Sequence, residues 1–231
     1  KLGVDLGRIR VDDVDRPAKW PGAHAVGTRI SFRPRGGAPD WQDLVAASGR
    51  ALAAAAARPS SRDPVLAEAL AWLLGSLVLE PRWLAEGADV EKRHGADVVR
   101  DLGLRRLFAL RADAAALRVA TEVERGLSGA AWREAHRDAL AQATGAAWDR
   151  ARASRDADAS RLAARVLGAG AGEKLRLEVR ERLDEDWWRN PRTAAQLAGL
   201  LAAGTLPAAA DPPPAAGAAR MLAGKLEGTR S

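Results

Sequence analysis

The sequence predicts a mainly α-helical protein with one or two short strands before its first helix. Apolar side chains recur at helical spacing over most of the 231 residues, and two prolines directly follow capping residues. Strand-like alternation is confined to residues 28–33. We therefore expect one helical domain over residues 1–205, followed by a Pro/Ala-rich linker and short tail over residues 206–231.

The predicted strand precedes the first helix. Residues 28–33 alternate between apolar and polar side chains, as a half-buried strand does. Pro34 follows directly, and because proline has no N–H to donate to a neighbouring strand, we expect this strand at the edge of its sheet.

The helix ends are marked by capping residues. Asp40 is suited to cap the first helix, and Asp63-Pro64 and Asn190-Pro191 each combine a cap with proline at the first helical position. The Gly168–Gly172 run is expected to interrupt the fifth helix. The expected helices cover approximately residues 40–57, 64–79, 89–125, 128–144, 161–184 and 190–203.

Two features predict burial. In the longest helix a stripe with spacings of three and four residues is expected to face the core; it consists of Leu107, Leu110, Ala114 and Leu117. Of the adjacent Trp187 and Trp188, one ring is expected to pack in the core and the other to shield a helix end.

Composition narrows the function classes. The formal charge is +6, but arginines are interleaved with 30 acidic residues, a pattern typical of solvated helix faces rather than of a phosphate-binding track. The chain has no Cys, which excludes disulfide and thiolate chemistry and is consistent with the cytoplasm. No apolar run approaches the roughly 18 residues that a membrane span needs.

The region after the strand resembles a family of zinc peptidases. In the bacterial branch of the thimet-oligopeptidase and oligoendopeptidase family (gluzincins) the segment reads approximately R-P-x-G-G-x-x-D-W/Y-x-x-L-x-H-E-A-G-H-A-L-H. The matching parts of this chain are Arg33-Pro34-Arg35-Gly36-Gly37, Asp40-Trp41, Gly49-Arg50-Ala51-Leu52 and Glu80-Pro81-Arg82-Trp83-Leu84. The resemblance implies a zincin-like helical catalytic-domain fragment, the C-terminal half of the family's proteins. The chain begins with Lys1 rather than Met, so we expect its native N-terminus to be missing.

The resemblance also locates a degenerate zinc site. Ala46 falls at the first His of the family's motif, Ala47 at the Glu and Arg50 at the second His. In the family the third ligand lies twelve positions before the first residue of the D-P-x-W-L landmark. Glu80 is that first residue here, so the third ligand falls at Glu68. Zinc needs three protein ligands and a base for its water, and a guanidinium repels the metal. We therefore expect no catalytic residues, no metal and no cofactor, with Glu68 as a vestigial ligand.

Two further expectations concern the helix packing and the histidines. Arg50 and Glu68 would project toward one point and form an ion pair that replaces the metal as a link between two helices. No other metal site is expected, because His24 is assigned to a loop, Glu91 and His94 to exposed positions, and His136 to solvent.

Three functions remain compatible with these observations. The first is an inactive peptidase-like domain that retains a peptide-binding or regulatory role. The second is an active zinc metallopeptidase with atypical ligands, and the third is a basic helical module for nucleic acid or an acidic partner. Because the family's N-terminal half is absent, we expect exposed apolar surface, with peptides or a second copy as partners and no membrane.

Overall fold

The computed structural model describes residues 6–56, 63–149, 158–206 and 215–227. The protein is mainly helical, at 73% helix, which confirms the predicted class. The strands of the described residues are β1 (Arg10–Asp12), β2 (Gly22–Val26) and β3 (Arg29–Arg33). The helices are α1 (Ala38–Ala56), α2 (Pro64–Gly75), α3 (Pro81–Gly87), α4 (Lys92–Glu124), α5 (Gly129–Thr144), α6 (Ala159–Leu183), α7 (Pro191–Ala203) and α8 (Ala215–Glu227).

The three strands form one sheet in the order β1-β3-β2, with β1 parallel and β2 antiparallel to β3. The prediction of an edge position for residues 29–33 is therefore wrong, since β3 is the central strand. Pro34 lies just beyond the last paired residue, Arg33, so its missing N–H removes no hydrogen bond from the sheet. His24, assigned to a loop, lies in β2 opposite Ser31.

The helix starts at Asp63 and Asn190 are as predicted. The Asp63 side chain accepts a hydrogen bond from the N–H of Val65, and Asn190 does the same for Arg192. Asp40 acts differently, because α1 begins at Ala38. The expected end of α1 at Ala57 lies outside the described residues.

Asp40 fixes the loop before α1 instead of capping the helix. One of its carboxylate oxygens accepts the N–H groups of Arg35 and Gly36, each at 2.7 Å, and the other accepts Arg35 Nε at 3.1 Å. The Arg35 guanidinium then continues to Asp43, with Nη2 2.5 Å from a carboxylate oxygen. The loop between β3 and α1 is thereby held by charged hydrogen bonds.

Helix α2 is packed between α1 and α6. Glycines permit the close approach on both sides. A Cβ added to Gly49 of α1 would lie 2.5 Å from the carbonyl oxygen of Leu70, and one added to Gly172 of α6 would lie 2.6 Å from Cβ of Trp72. The expectation that the Gly168–Gly172 run interrupts this helix is therefore wrong. The run is helical and forms the contact face of α6 with α2.

The main apolar core lies around α2 and includes Leu70 and Leu73, both fully buried. Trp187 is 2% exposed within this core, and the ring of Trp188 meets it edge to face at 6.2 Å. The expectation that one of the two rings is a core residue is confirmed.

The buried face of α4 differs from the predicted stripe. Ala114 is exposed, Leu107 and Leu117 are half-buried, and of the four predicted residues only Leu110 is fully buried. The buried positions are displaced because α4 packs against α5, α6 and α8 together. They include Val99, Leu102, Gly103, Arg106, Leu110, Ala115, Ala116, Val119 and Ala120.

The C-terminal helix contributes to this packing. Leu222 and Ala218 of α8 are fully buried, and the helix contacts α4 and α6. Residues 215–219, predicted as linker, are therefore helical. The remaining residues of the predicted linker, 207–214, lie outside the described residues.

No single helix in the described part of the chain has both the length and the hydropathy of a membrane span. The segments Pro64–Leu79 and Pro81–Gly87 meet the criterion only together, and they are bent by 85° at their junction. Leu66, Leu70 and Leu73 of the first segment are buried inside the protein.

Candidate functional site

A cavity of about 280 Å³ is lined by residues of α1, α2, α4 and α6. It brings together three of the four positions to which the resemblance assigns zinc chemistry, namely Ala46, Arg50 and Glu68. The fourth, Ala47, is fully buried and packs with Ala23 and Ile30 beneath the sheet.

Arg50 and Glu68 form a bidentate ion pair across the α1–α2 contact. Nε of Arg50 lies 2.8 Å from one carboxylate oxygen of Glu68, and Nη2 lies 2.7 Å from the other. The predicted pairing of these side chains is confirmed. It occupies both oxygens of the residue that the resemblance designates as a zinc ligand.

The electrostatics keep Arg50 charged. Burial acts to lower the pKa of the guanidinium, but the hydrogen bonds and charge of Glu68, helped by Asp43 and Asp113, hold that pKa above its usual value. A permanent cation therefore lies where a zinc site would need a neutral ligand.

The histidines lie apart from this cavity. Within the described residues no group of three or more His, Asp or Glu side chains is placed to hold a metal ion. His24 is exposed on β2, and His94 is exposed at the start of α4 beside Glu91, which pairs with Arg93 at 2.6 Å.

His136 contradicts its predicted solvent exposure. It is only 4% exposed, and its ring lies 6.0 Å from that of Trp132. The reason is its position on α5, one turn before Ala139 and Leu140, which places it on the face of α5 that is buried.

Two other carboxylates line the cavity, and each has an arginine partner. Asp43 contacts Arg35 at 2.5 Å and Arg105 at 3.4 Å, and Asp113 pairs with Arg165 at 3.1 Å. With Glu68 held by Arg50, every carboxylate in the cavity lining is bonded to a guanidinium.

Arg106 differs from the other cavity arginines. It is 9% exposed, its Cζ lies 4.0 Å above the ring of Trp72, and its Nη2 donates to the carbonyl oxygen of Trp72 at 3.0 Å. Nη1 is buried and has no hydrogen-bond partner among the described residues. Burial lowers the pKa of Arg106 to about 9, with Glu173 opposing and Arg176 reinforcing the shift, so the group is still charged at neutral pH.

Sequence reasoning did not identify Arg106. The signal available was its place between Leu102 and Leu110, four residues from each, on what becomes the buried face of α4. A cation at that spacing within an apolar stripe indicates either a buried ion pair or a ligand site.

Behind Arg106 lies a buried charged network. Glu173 accepts Nη2 of Arg176 at 2.7 Å and the indole N–H of Trp72 at 3.2 Å. Glu80, from the landmark after α2, lies 3.6 Å from Arg176 and 3.3 Å from Arg180. The network joins α2 and α6 and fixes the indole on which Arg106 stacks.

Comparison of the chain with protein-family models, with curated proteins and with solved structures gives no match in any of the three.

Proposed function

We propose that this chain is a zincin-like, oligopeptidase-like domain without catalytic activity, and that its cleft binds peptides. The observation that carries the proposal is the Arg50–Glu68 pair. Its guanidinium engages both oxygens of Glu68, at 2.8 and 2.7 Å, where the resemblance assigns one zinc ligand to each of the two residues.

The residues present do not support hydrolysis at this cavity. A zinc peptidase needs imidazoles to hold the metal and a base to activate its water, whereas Ala46 offers a methyl group and Arg50 a cation. Ala47, the position of the base, is buried under the sheet. The full chain contains no Tyr to stabilise an oxyanion in the way the resembling family does.

Peptide binding is supported by the sheet next to the cavity. Among the residues that the structure describes, β2 is an edge strand, since only β3 pairs with it, and its residue Ala23 lines the cavity. An extended peptide adds to such an edge through main-chain hydrogen bonds. Val26, three residues from Ala23 along β2, is 80% exposed, whereas Ala23 itself is 6% exposed.

The first experiment measures metal content and hydrolysis. The purified chain, analysed by mass spectrometry after incubation with zinc and dialysis, is expected to hold substoichiometric metal and to leave quenched fluorescent peptides intact. Stoichiometric zinc that is lost in Glu68→Gln, together with chelator-sensitive hydrolysis, would establish the active peptidase instead.

The second experiment measures binding of extended peptides by calorimetry. A mixed-sequence peptide is expected to bind, and its analogue with alternate backbone nitrogens methylated is expected to bind much more weakly, because methylation removes the N–H donors that strand addition uses. Equal affinities would contradict addition to β2, and no binding of either peptide at millimolar concentration would overturn the peptide-binding function. Random duplex DNA serves as the comparison for the basic-module alternative, which requires a steep salt dependence.

A further inference from the structure

Positively charged side chains outnumber negatively charged ones in the lining of the cavity. Its lining contains four arginines and three carboxylates, and each carboxylate is bonded to an arginine other than Arg106. In the part of the chain that the structure describes, Arg106 forms no ion pair with a carboxylate. The nearby buried Glu173 is already engaged by Arg176 and by the Trp72 indole.

The guanidinium of Arg106 is held in place and incompletely bonded. Stacking on Trp72 and the hydrogen bond from Nη2 fix its plane, while Nη1 is buried with no acceptor in the described part of the chain. A buried N–H of a charged group without an acceptor is unfavourable, and an anionic oxygen is the partner that relieves it best.

Space for such an oxygen exists beside the guanidinium. A methyl group added at Gly75 would lie 3.5 Å from Cβ of Ala46 and 3.8 Å from both Cζ and Nη2 of Arg106. Gly75 and Ala46 both line the cavity, and both are small. A methyl-sized space above Gly75 therefore contacts both the Arg106 guanidinium, at Cζ and Nη2, and Ala46, the position at which the resembling family carries a zinc-binding imidazole.

We propose that this cavity binds a carboxylate group and that Arg106 is the residue that receives it. The planar guanidinium matches a carboxylate geometrically, and the small volume suits the end of a chain rather than a whole drug-sized ligand. Resting on the proposed function, the ligand group is the C-terminal carboxylate of a bound peptide. The former metal site thus becomes an anion site.

The test compares two probes that differ only at one end. N-acetyl-tetraalanine with a free C-terminal carboxylate and the same peptide as its C-terminal amide are titrated into the full chain by calorimetry. The carboxylate form is expected to bind about tenfold or more tightly, the gain typical of a charge-assisted hydrogen bond.

Three variants, with a fourth in reserve, locate the effect. Arg106→Gln is expected to abolish the preference for the carboxylate form, while Arg111→Gln, an exposed arginine of the same helix outside the cavity lining, is expected to preserve it. Ala46→Glu places a carboxylate next to the guanidinium and is expected to block the peptide and raise Tm. If Ala46→Glu does not fold, Ala46→Leu fills the same space without charge and is expected to block binding.

A folding control separates loss of the carboxylate-binding site from loss of the folded structure. Arg106→Met removes a buried charge with an unused donor, so without ligand its Tm is expected to equal or exceed that of the parent chain. A large fall in Tm for Arg106→Met would mean that the arginine is a structural element and would overturn the assignment.

The outcomes distinguish this inference from the function on which it rests. Equal binding of both peptide forms leaves peptide binding intact and overturns the carboxylate site. Binding of acetate that depends on Arg106, with neither peptide bound, supports the site and overturns the peptide function. Inorganic phosphate that binds more tightly than acetate and both peptides would overturn the assignment to a carboxylate.

Discussion

Arg50 of α1 and Glu68 of α2 are joined by two parallel hydrogen bonds, Nε to Oε1 at 2.8 Å and Nη2 to Oε2 at 2.7 Å. The pair is partly shielded, with side-chain exposures of 35% and 19%. Its two residues are 18 apart in sequence and occupy positions that the peptidase resemblance assigns to zinc ligands. A charge pair here links the same two helices that a metal would link.

A double-mutant cycle measures the strength of this link. Arg50→Met and Glu68→Gln are each expected to lower the free energy of unfolding by about 1–3 kcal/mol, because each leaves a partly buried group without its charged partner. The double variant is expected to lose less than the sum, with a coupling of about 1–2 kcal/mol in urea denaturation. Additive losses would mean that the pair contributes nothing beyond its separate side chains.

Introducing two imidazoles at the positions that the resemblance assigns to zinc ligands tests whether the scaffold has the geometry of a metal site. Ala46→His with Arg50→His places two imidazoles at i and i+4 on α1 and frees Glu68 from its guanidinium partner, so the double variant is expected to bind zinc. Zinc calorimetry and a zinc-dependent rise in Tm measure this. Adding Glu68→Gln is expected to weaken zinc binding at least tenfold. An unchanged zinc affinity in this triple variant would refute the assignment of Glu68 as the third zinc ligand.

The glycines of α6 are expected to be sensitive to one added carbon. Gly172→Ala would place Cβ 2.6 Å from Trp72 Cβ, so the helices must separate, and we expect a loss of about 1–3 kcal/mol in urea denaturation. Gly199→Ala is the matched control, because no described atom outside its own helix backbone lies within 4 Å of its added Cβ. It is expected to gain up to about 1 kcal/mol from helix propensity, and equal effects at both positions would contradict close packing.

Asp40 is expected to make stability depend on pH in the acid range. Burial acts to raise the pKa of this carboxyl, but hydrogen bonds from the N–H groups of Gly36 and Arg35 and from the Arg35 side chain hold the pKa below its usual value of 3.8. The folded state thus binds its proton less readily than the unfolded chain. The stabilisation is present above pH 3.8 and is lost as the pH falls through the lower, folded pKa.

The variant Asp40→Asn tests this directly. At pH 7 it is expected to lose about 1–3 kcal/mol of unfolding free energy, because an amide has one acceptor oxygen where the carboxylate has two, and it carries no charge to attract Arg35. The difference from the parent chain should shrink in acid. Asp101→Asn, whose side chain is 73% exposed, is expected to show almost no change at either pH, and a pH-independent deficit in Asp40→Asn would argue against a charge effect.

The sequence specified features that depend on a few neighbouring residues. Asp63-Pro64 and Asn190-Pro191 mark helix starts because a side-chain acceptor and a fixed φ act locally. The partnership of Arg50 and Glu68 followed from the resemblance, and the contact geometry agrees with it. The zincin-like scaffold and the loss of catalysis remain predictions that the experiments above address.

The tertiary structure alone decided which polar groups are buried and what they contact. His136 and Arg106 are buried because neighbouring elements cover those faces of α5 and α4, and α8 packs on α4 from more than ninety residues away. The Gly168–Gly172 run reads locally as a break but becomes a contact face once α2 lies against it. Capping hydrogen bonds and φ angles act within one turn of chain, whereas burial and desolvation depend on partners that only the complete packing brings together.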